Sequence, residues 1–167
     1  MPTFSMDPRE RAFEERCVAD VERYGLHVLE VGAEEDSPAF AYTVGLHRTF
    51  AHPELIILGL GLDTMHQLLN DVAAALRAGR RFAAGDVTDE FLEGYDVTFR
   101  TVPERHYRPY LGWANWFNGG RAYPALQMVY PDRARRWPWE PGVADDFRRN
   151  QPVLETEPVP AWARDAV

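Results

Sequence analysis

The segment HRTFAHPE, residues 47–54, holds three side chains whose types could do chemistry. Imidazole titrates near neutrality, so His47 and His52 could act as a general acid or base, with Glu54 orienting a ring. Two histidines and a carboxylate are also ligands that zinc and iron accept, although metal ligands usually come from regular elements rather than one loop. We therefore predict these three residues as the candidate catalytic set and assign no metal ligand. The alternative is that they are loop residues hydrogen-bonded to backbone.

Aromatic side chains are concentrated between residues 107 and 139, a range that includes four of the five tryptophans. Large rings supply contact area to ligands and interfaces, but they also fill cores. Arginines beside them, in RARR (133–136), could clamp a carboxylate or stack on a ring. The predicted ligand-binding residues are Tyr42, Trp113, Trp116, Tyr130, Asp132, Arg133 and Trp137.

The composition excludes several classes of chemistry. All 18 basic residues are arginine, and without lysine the chain cannot form a Schiff base, attach pyridoxal phosphate or supply a P-loop lysine. The formal net charge of −8 argues against a nucleic-acid backbone as the main partner. No apolar run approaches the roughly 18 residues of a membrane span, and Cys17 has no partner for a disulfide. We therefore expect a cytoplasmic protein that binds neither nucleic acid nor membrane.

The elements that must position these residues follow from hydrophobic periodicity. Helices are predicted from Asp7 to Gly25, from Asp63 to Gly79 and within 103–120. The intervening segment 80–94 is predicted as a loop of about 15 residues. Five segments are typical of strands: 26–32, 39–45, 54–59, 95–102 and 123–130.

Together these elements predict an α+β fold, with a mainly antiparallel sheet of about five strands and three packed helices. Residues 1–142 are expected to form this single domain. Residues 143–167, rich in proline and charge, are expected to form a C-terminal arm or tail with one short helix near 144–149.

Four sequence blocks, FAYTVGL, HPEL, QMVYPD and WPWEPG, resemble an uncharacterised bacterial family, domain of unknown function 4262. The resemblance covers residues 20–142 and implies a cytoplasmic bacterial protein without an established activity, so no catalytic residue can be carried over. It also suggests that the blocks belong to one structural unit. Our hypothesis is that the 46–54 loop meets the YPDR turn (130–133), with Trp113, Trp116 and Trp137 lining the gap between them.

Three functions are compatible with these residues. We favour a small-molecule site, binding or acid-base catalytic, for a ligand with aromatic or carboxylate groups. The second is a protein-interaction or immunity-like accessory module, or a homodimer, which would present the tryptophans as an exposed patch. The third is a metal-dependent enzyme using His47, His52 and Glu54. The residues identify no cofactor and no reaction, and they leave open whether the protein is an enzyme.

Overall fold

The computed structural model describes residues 2–164, which form one mixed six-stranded sheet with helices on both faces. The strands are β1 (His27–Val31), β2 (Phe40–Val44), β3 (Glu54–Leu58), β4 (Val87–Leu92), β5 (Tyr95–Thr101) and β6 (Ala125–Val129). The helices are α1 (Pro8–Tyr24), α2 (Leu46–Phe50), α3 (Leu62–Arg77), α4 (Tyr107–Tyr110), α5 (Gly112–Phe117) and α6 (Asp145–Asn150). Single 3₁₀ turns span Glu104–His106 and Ala161–Ala163.

The strand order is β1-β2-β3-β6-β5-β4, and the central pair, β3 and β6, is parallel while every other pair is antiparallel. Both central strands are buried along their whole length, which matches their apolar sequences ELIIL and ALQMV. Because β3 and β6 are parallel, both strands begin at the same end of the sheet, at Glu54 and Ala125 respectively. Both strands finish at the opposite end of the sheet, about 16 Å away for strands of this length.

The α+β class is confirmed, but the predicted five-stranded, mainly antiparallel sheet is corrected to six strands with a parallel centre. The additional strand, β4, lies inside the segment predicted as a loop. Its sequence VTDEFL has no apolar run because β4 is an edge strand and most of its side chains are exposed or only partly buried. Parallel pairing requires a long crossover, which the pattern of a single strand does not reveal.

One of the three predicted helices is confirmed and two are corrected. Helix α1 begins after the Asp7 cap and ends at Gly25, as predicted. Helix α3 begins at Leu62, so Asp63 lies in its first turn rather than at its cap. The helix expected within 103–120 is divided into a 3₁₀ turn, α4 and α5, and the short helices α2 and α6 complete the set.

Alternate strand residues face two hydrophobic cores. In β3, Ile56 and Leu58 pack with α1, α4 and α5, whereas Leu55 and Ile57 pack with α3. The sheet therefore buries both faces, and side chains reach solvent mainly at its ends and edges.

The C-terminal arm is bound to the sheet by two buried amides. The Gln151 side chain accepts from the Tyr130 backbone N–H (3.0 Å) and donates to the Tyr130 carbonyl (2.9 Å). Gln127 of β6 donates to Pro152 O and accepts from Leu154 N, both at 2.8 Å. Val143 and Leu154 are buried, so the arm packs as part of the fold, while residues 165–167 of the expected tail lie outside the described residues. Within residues 2–164 no helix has the length and apolar character to cross a membrane.

Candidate functional site

The HRTFAHPE segment forms the connection between β2 and β3 at the amino end of β3. It contains the short helix α2, which follows Gly45 in a left-handed conformation (φ 107°). A Cβ atom at Gly45 would lie 2.8 Å from the side chain of Val21, so the tight turn allows α1 to approach closely.

Glu54 is fully buried and accepts four hydrogen bonds. Its Oε1 accepts from the Thr43 hydroxyl and the Leu46 N–H, both at 2.9 Å, and its Oε2 accepts from the Gly45 N–H at 3.0 Å and the Asn118 amide at 3.3 Å. Burial raises the pKa of Glu54, and these hydrogen bonds oppose the shift. The carboxylate fixes the β2–α2 connection, and it has no solvent-accessible surface through which to meet a substrate.

His52 is also buried, and both of its ring nitrogens are engaged. Nδ1 lies 2.8 Å from the Pro53 carbonyl and Nε2 lies 3.2 Å from the backbone N of Phe82. The carbonyl can only accept and the backbone N–H can only donate, so the ring is neutral with its proton on Nδ1. Burial lowers the pKa of His52, which favours the same neutral form.

His47 is half-buried, and its Nδ1 atom has no hydrogen-bond partner among the described residues. Its ring lies 6.4 Å from that of Tyr123, whose hydroxyl donates to Asn115 Oδ1 at 2.6 Å. Within residues 2–164, no three histidine, cysteine, aspartate or glutamate side chains are arranged to hold a metal ion. The predicted catalytic residues therefore do not form a metal triad in this structure.

The hypothesis that the 46–54 loop meets the YPDR turn does not hold in this structure. The loop precedes β3 and the turn follows β6, and because these strands are parallel the two segments lie at opposite ends of the sheet. An antiparallel pair would have brought them together, so the error follows directly from the expected strand direction.

Three predicted ligand-binding residues lie on the core face that α1 and α5 cover. The Tyr42 hydroxyl accepts a hydrogen bond from Trp113 N at 3.1 Å, and the Trp113 ring packs 4.5 Å from that of Phe13. The indole N–H of Trp116 donates to Thr3 O at 2.8 Å. Tyr42, Trp113 and Trp116 thus hold α5 against β2, α1 and the N-terminal segment.

A cavity of about 650 Å³ opens where the chain leaves the two parallel strands, and we call it the carboxyl-end cavity. Gly59 and Leu60 follow β3 on one side, and Tyr130, Asp132 and Arg133 follow β6 on the other. The remaining lining residues are Leu92, Tyr95, Pro131, Ala134, Arg136, Phe147 and Asn150.

Tyr130 forms the floor of the carboxyl-end cavity. Its hydroxyl donates to Leu58 O at 2.8 Å, and its ring meets Phe147 edge-on at 5.9 Å. Burial raises the pKa of Tyr130, so the phenol stays protonated. Gly59 has φ 92°, and a Cβ there would lie 2.6 Å from the Tyr130 hydroxyl oxygen and 2.4 Å from Asn150 O. Only glycine leaves room at this position for both the Tyr130 hydroxyl and the Asn150 backbone.

At the rim of the cavity, Asp132 organises the turn of residues 132–136, which we call the arginine-bearing turn. Its Oδ1 accepts from Ala134 N and Arg136 N at 2.9 Å each, and its Oδ2 accepts from Arg136 Nε at 3.0 Å. The backbone N–H of Arg136 holds the pKa of Asp132 below its ordinary value, and the guanidinium acts in the same direction. Arg133, by contrast, is exposed and makes no hydrogen bond or ion pair with any of residues 2–164.

Trp137 lines a neighbouring cleft of about 390 Å³ that shares Tyr95 and Pro131 with the carboxyl-end cavity. Its ring stacks on Trp139 with centroids 5.6 Å apart. Of the predicted ligand residues, Tyr130, Asp132 and Arg133 thus line one cavity and Trp137 lies beside it.

Nine of the twelve residues that line the carboxyl-end cavity are absent from the prediction, and three of them are Tyr95, Phe147 and Asn150. These three come from the start of β5 and from α6, and no local pattern indicates that these elements reach the ends of β3 and β6. The order of strands in the sheet would have been needed to find them.

The chain belongs to the family described as domain of unknown function 4262, whose model matches residues 20–144. The predicted resemblance is thereby confirmed. No curated protein and no solved structure matches the chain. The matched range includes the arginine-bearing turn but ends before α6, so Phe147 and Asn150 complete the carboxyl-end cavity from outside it.

Proposed function

We propose that this member of the family binds a small organic anion with an aromatic or apolar body in the carboxyl-end cavity. One observation carries the proposal: Arg133, a guanidinium without a hydrogen-bond or ion-pair partner among residues 2–164, stands at the rim of a cavity of about 650 Å³ with an aromatic floor. This combination of apolar area and few polar groups is typical of small-molecule sites.

The position of the cavity supports a binding role. Ligands in sheets with parallel strands commonly bind beyond the carboxyl ends of those strands, where neighbouring connections diverge. Here β3 leads into α3, whereas β6 leads into the arginine-bearing turn and the arm. The gap between these connections is bounded by Leu60 and Tyr130.

The local charge supports an anionic ligand. The chain carries a net charge of −8, so an anion needs a local cation to overcome the overall repulsion. Asp132 is already satisfied by three donors and pairs with Arg136. The charge of Arg133 therefore remains available for a carboxylate, sulfonate or phosphate.

The residues that line the carboxyl-end cavity favour binding over acid-base catalysis. Among the described residues that line the cavity there is no histidine, cysteine or glutamate. Its titratable groups are arginines, the engaged carboxylate of Asp132 and the phenols of Tyr95 and Tyr130. We do not place His47, His52 or Glu54 in this function, since they lie at the other end of β3.

The interaction-module alternative has less support. Trp113 and Trp116 form one pair in ring contact and Trp137 and Trp139 another, with no ring contact between the pairs among the described residues. Of these four side chains, Trp139 is the most exposed, at 44%. They do not make one continuous flat patch.

The test uses anilinonaphthalene sulfonate, a fluorescent aromatic anion, and the uncharged N-phenylnaphthylamine as its matched neutral probe. We expect saturable binding of the sulfonate, weakened roughly tenfold in Arg133→Gln through loss of a charged contact. Arg9→Gln, which removes an exposed arginine from α1, should leave the affinity unchanged, and neither variant should alter binding of the neutral probe. Equal sulfonate affinity in Arg133→Gln and the wild type would overturn the proposal.

A further inference from the structure

We propose a second binding site in this protein, which recognises a carboxylate through Arg100. The site is a separate cavity of about 410 Å³, called here the arm cavity. Helix α6 separates it from the carboxyl-end cavity, because Phe147 and Asn150 line one and Arg148 and the adjoining Gln151 line the other. The other lining residues of the arm cavity are Arg100, Pro138, Trp139, Val153, Glu155, Thr156 and Glu157.

Arg100 is held in place without being hydrogen-bonded. Its guanidinium carbon lies 4.3 Å from the centroid of the Trp139 ring. None of its guanidinium N–H groups forms a hydrogen bond with residues 2–164, and its Nε atom is buried without a partner there. The nearest carboxylate oxygen, from Glu155, is 4.0 Å from Nη1, which is beyond hydrogen-bond distance. Unpaired donors of this kind carry a desolvation cost that a ligand would relieve.

Other arginines that hold the arm differ from Arg100. Arg148, in the same cavity, donates to the carbonyls of Pro138 (2.9 Å) and Glu140 (2.8 Å). Arg105 donates to the carbonyls of Glu155 (3.1 Å) and Glu157 (2.9 Å). Arg148 and Arg105 are thus already hydrogen-bonded to backbone carbonyls, whereas the guanidinium of Arg100 forms no hydrogen bond with residues 2–164.

The geometry of the stack favours a planar anion. Trp137, Trp139 and Arg100 contact one another in sequence, with ring centroids of the two tryptophans 5.6 Å apart. The contact with the Trp139 ring restrains the guanidinium, and a restrained guanidinium can meet both oxygens of a carboxylate. Pro138 and Val153 supply apolar surface for the hydrocarbon part of such a ligand.

Glu155 acts as an internal competitor for Arg100. Its side chain carries the same group as the proposed ligand, a carboxylate. The Glu155 oxygen lies 4.0 Å from Arg100 Nη1, and both side chains remain more than a third exposed. A ligand carboxylate that enters the cavity would displace this loose contact. Removal of the Glu155 charge should therefore strengthen ligand binding, which is the opposite of what loss of a ligand contact would do.

The test is a titration of ¹⁵N-labelled protein with benzoate, and with benzamide as the neutral probe of the same shape. The signals to follow are the Nε–H of Arg100, whose nitrogen is buried, and the indole N–H of Trp139. We expect saturable shifts with benzoate and none with benzamide. Arg100→Gln should abolish the benzoate response at Trp139, Arg108→Gln should leave it unchanged, and Glu155→Gln should lower the half-saturating concentration roughly twofold to fivefold.

The outcomes separate this site from the proposed function. Arg133→Gln should leave the benzoate response of Arg100 intact, because Arg133 belongs to the other cavity. Equal responses to benzoate and benzamide, a linear response without saturation, or saturation by inorganic phosphate but not by benzoate would each overturn the inference. A Glu155→Gln variant that binds benzoate no better than the wild type would also overturn it.

Discussion

His52 accepts a hydrogen bond at Nε2 from the backbone N–H of Phe82, 30 positions further along the chain, with the two nitrogens 3.2 Å apart. Its Nδ1–H donates to the adjacent Pro53 carbonyl at 2.8 Å. The neutral ring thereby joins the start of β3 to the segment that follows α3. Protonation would place a second N–H opposite the N–H of Phe82, so this connection exists only in the neutral form.

The stability of the protein should therefore decrease as the pH falls through the range in which His52 titrates in the unfolded chain. Burial lowers the folded pKa of His52 from its ordinary 6.5. At pH values below 6.5 but above the folded pKa, His52 is protonated in the unfolded chain and neutral in the folded protein. The free energy of unfolding therefore falls by up to about 1.4 kcal/mol for each pH unit of decrease. The loss ends at the folded pKa. Urea unfolding between about pH 7 and pH 5 measures it.

The matched variant for this prediction is His52→Gln, which should reduce the pH dependence of the free energy of unfolding. His106 is also buried and its pKa is lowered by burial, so a double variant with His106→Gln should reduce the dependence further. An unchanged slope in His52→Gln would show that its protonation is not linked to folding.

Replacement of Glu54 by glutamine should destabilise the fold by roughly 1–3 kcal/mol for each donor left unpaired. The carboxylate accepts two hydrogen bonds at each oxygen. Glutamine keeps one oxygen and places an NH₂ group opposite donors at the other, so either Gly45 N–H and Asn118 or Thr43 and Leu46 N–H lose their acceptor. Urea unfolding measures the change.

Glu22→Gln provides the control for Glu54→Gln, because Glu22 is exposed on α1 and should tolerate the change within about 0.5 kcal/mol. The affinity for anilinonaphthalene sulfonate should not change in folded Glu54→Gln, since Glu54 and the carboxyl-end cavity lie at opposite ends of β3. Wild-type stability in Glu54→Gln would contradict the role assigned to the four hydrogen bonds.

Sequence patterns predict the strands whose own residues are apolar, and they fail where burial depends on neighbours. ELIIL predicts β3 because both faces of that strand are covered. VTDEFL does not predict β4, since the exposed carboxylates of Asp89 and Glu90 reflect its place at the edge of the sheet. Sequence patterns also do not reveal strand direction, because an apolar run has the same pattern in a parallel and an antiparallel pair.

Most of the predicted ligand-binding residues also fall into two groups, one that lines the carboxyl-end cavity and one that packs on the core. Tyr130 ends the predicted strand 123–130, Asp132 and Arg133 follow it, and such strand ends are where polar residues gather around ligands. Trp113 and Trp116 have the residue type of a ligand wall, but their spacing equally fits a helix packed on a core, and the structure has them packed against α1 and the N-terminal segment. Residue type therefore does not distinguish the two groups, whereas position after a strand does.

Gly59→Ala should destabilise the protein and weaken probe binding in the carboxyl-end cavity. At φ 92° any side chain is strained, and the new Cβ would lie 2.4 Å from Asn150 O and 2.6 Å from the Tyr130 hydroxyl oxygen. We expect a cost of about 1–2 kcal/mol from the backbone and about 1–3 kcal/mol more from the displaced neighbours. Urea unfolding and sulfonate titration measure the two effects.

Gly85→Ala separates the backbone cost from the steric one. Gly85 has the same φ of 92°, but a Cβ there would meet nothing within 4 Å. This variant should show only the backbone cost and an unchanged affinity for the probe. Equal losses of stability in Gly59→Ala and Gly85→Ala would mean that the contact of Gly59 with Tyr130 and Asn150 is not tight in solution.

Gln151→Leu should release the C-terminal arm from the sheet. The Gln151 side chain pairs with both backbone groups of Tyr130, at 3.0 and 2.9 Å, in a fully buried position. Leucine of similar size leaves that N–H and C=O without partners, at a cost of roughly 1–3 kcal/mol each. Limited proteolysis should then cut within 143–164 faster than in the wild type, while 20–142 stays resistant.

The arm also lines both cavities, so its release has a consequence for binding. Phe147 and Asn150 leave the carboxyl-end cavity, and Glu155 and Val153 leave the arm cavity. Gln151→Leu should therefore weaken anilinonaphthalene sulfonate and benzoate together, whereas Arg133→Gln and Arg100→Gln each weaken one. Faster proteolysis with both affinities unchanged would show that the arm does not form the walls of either site.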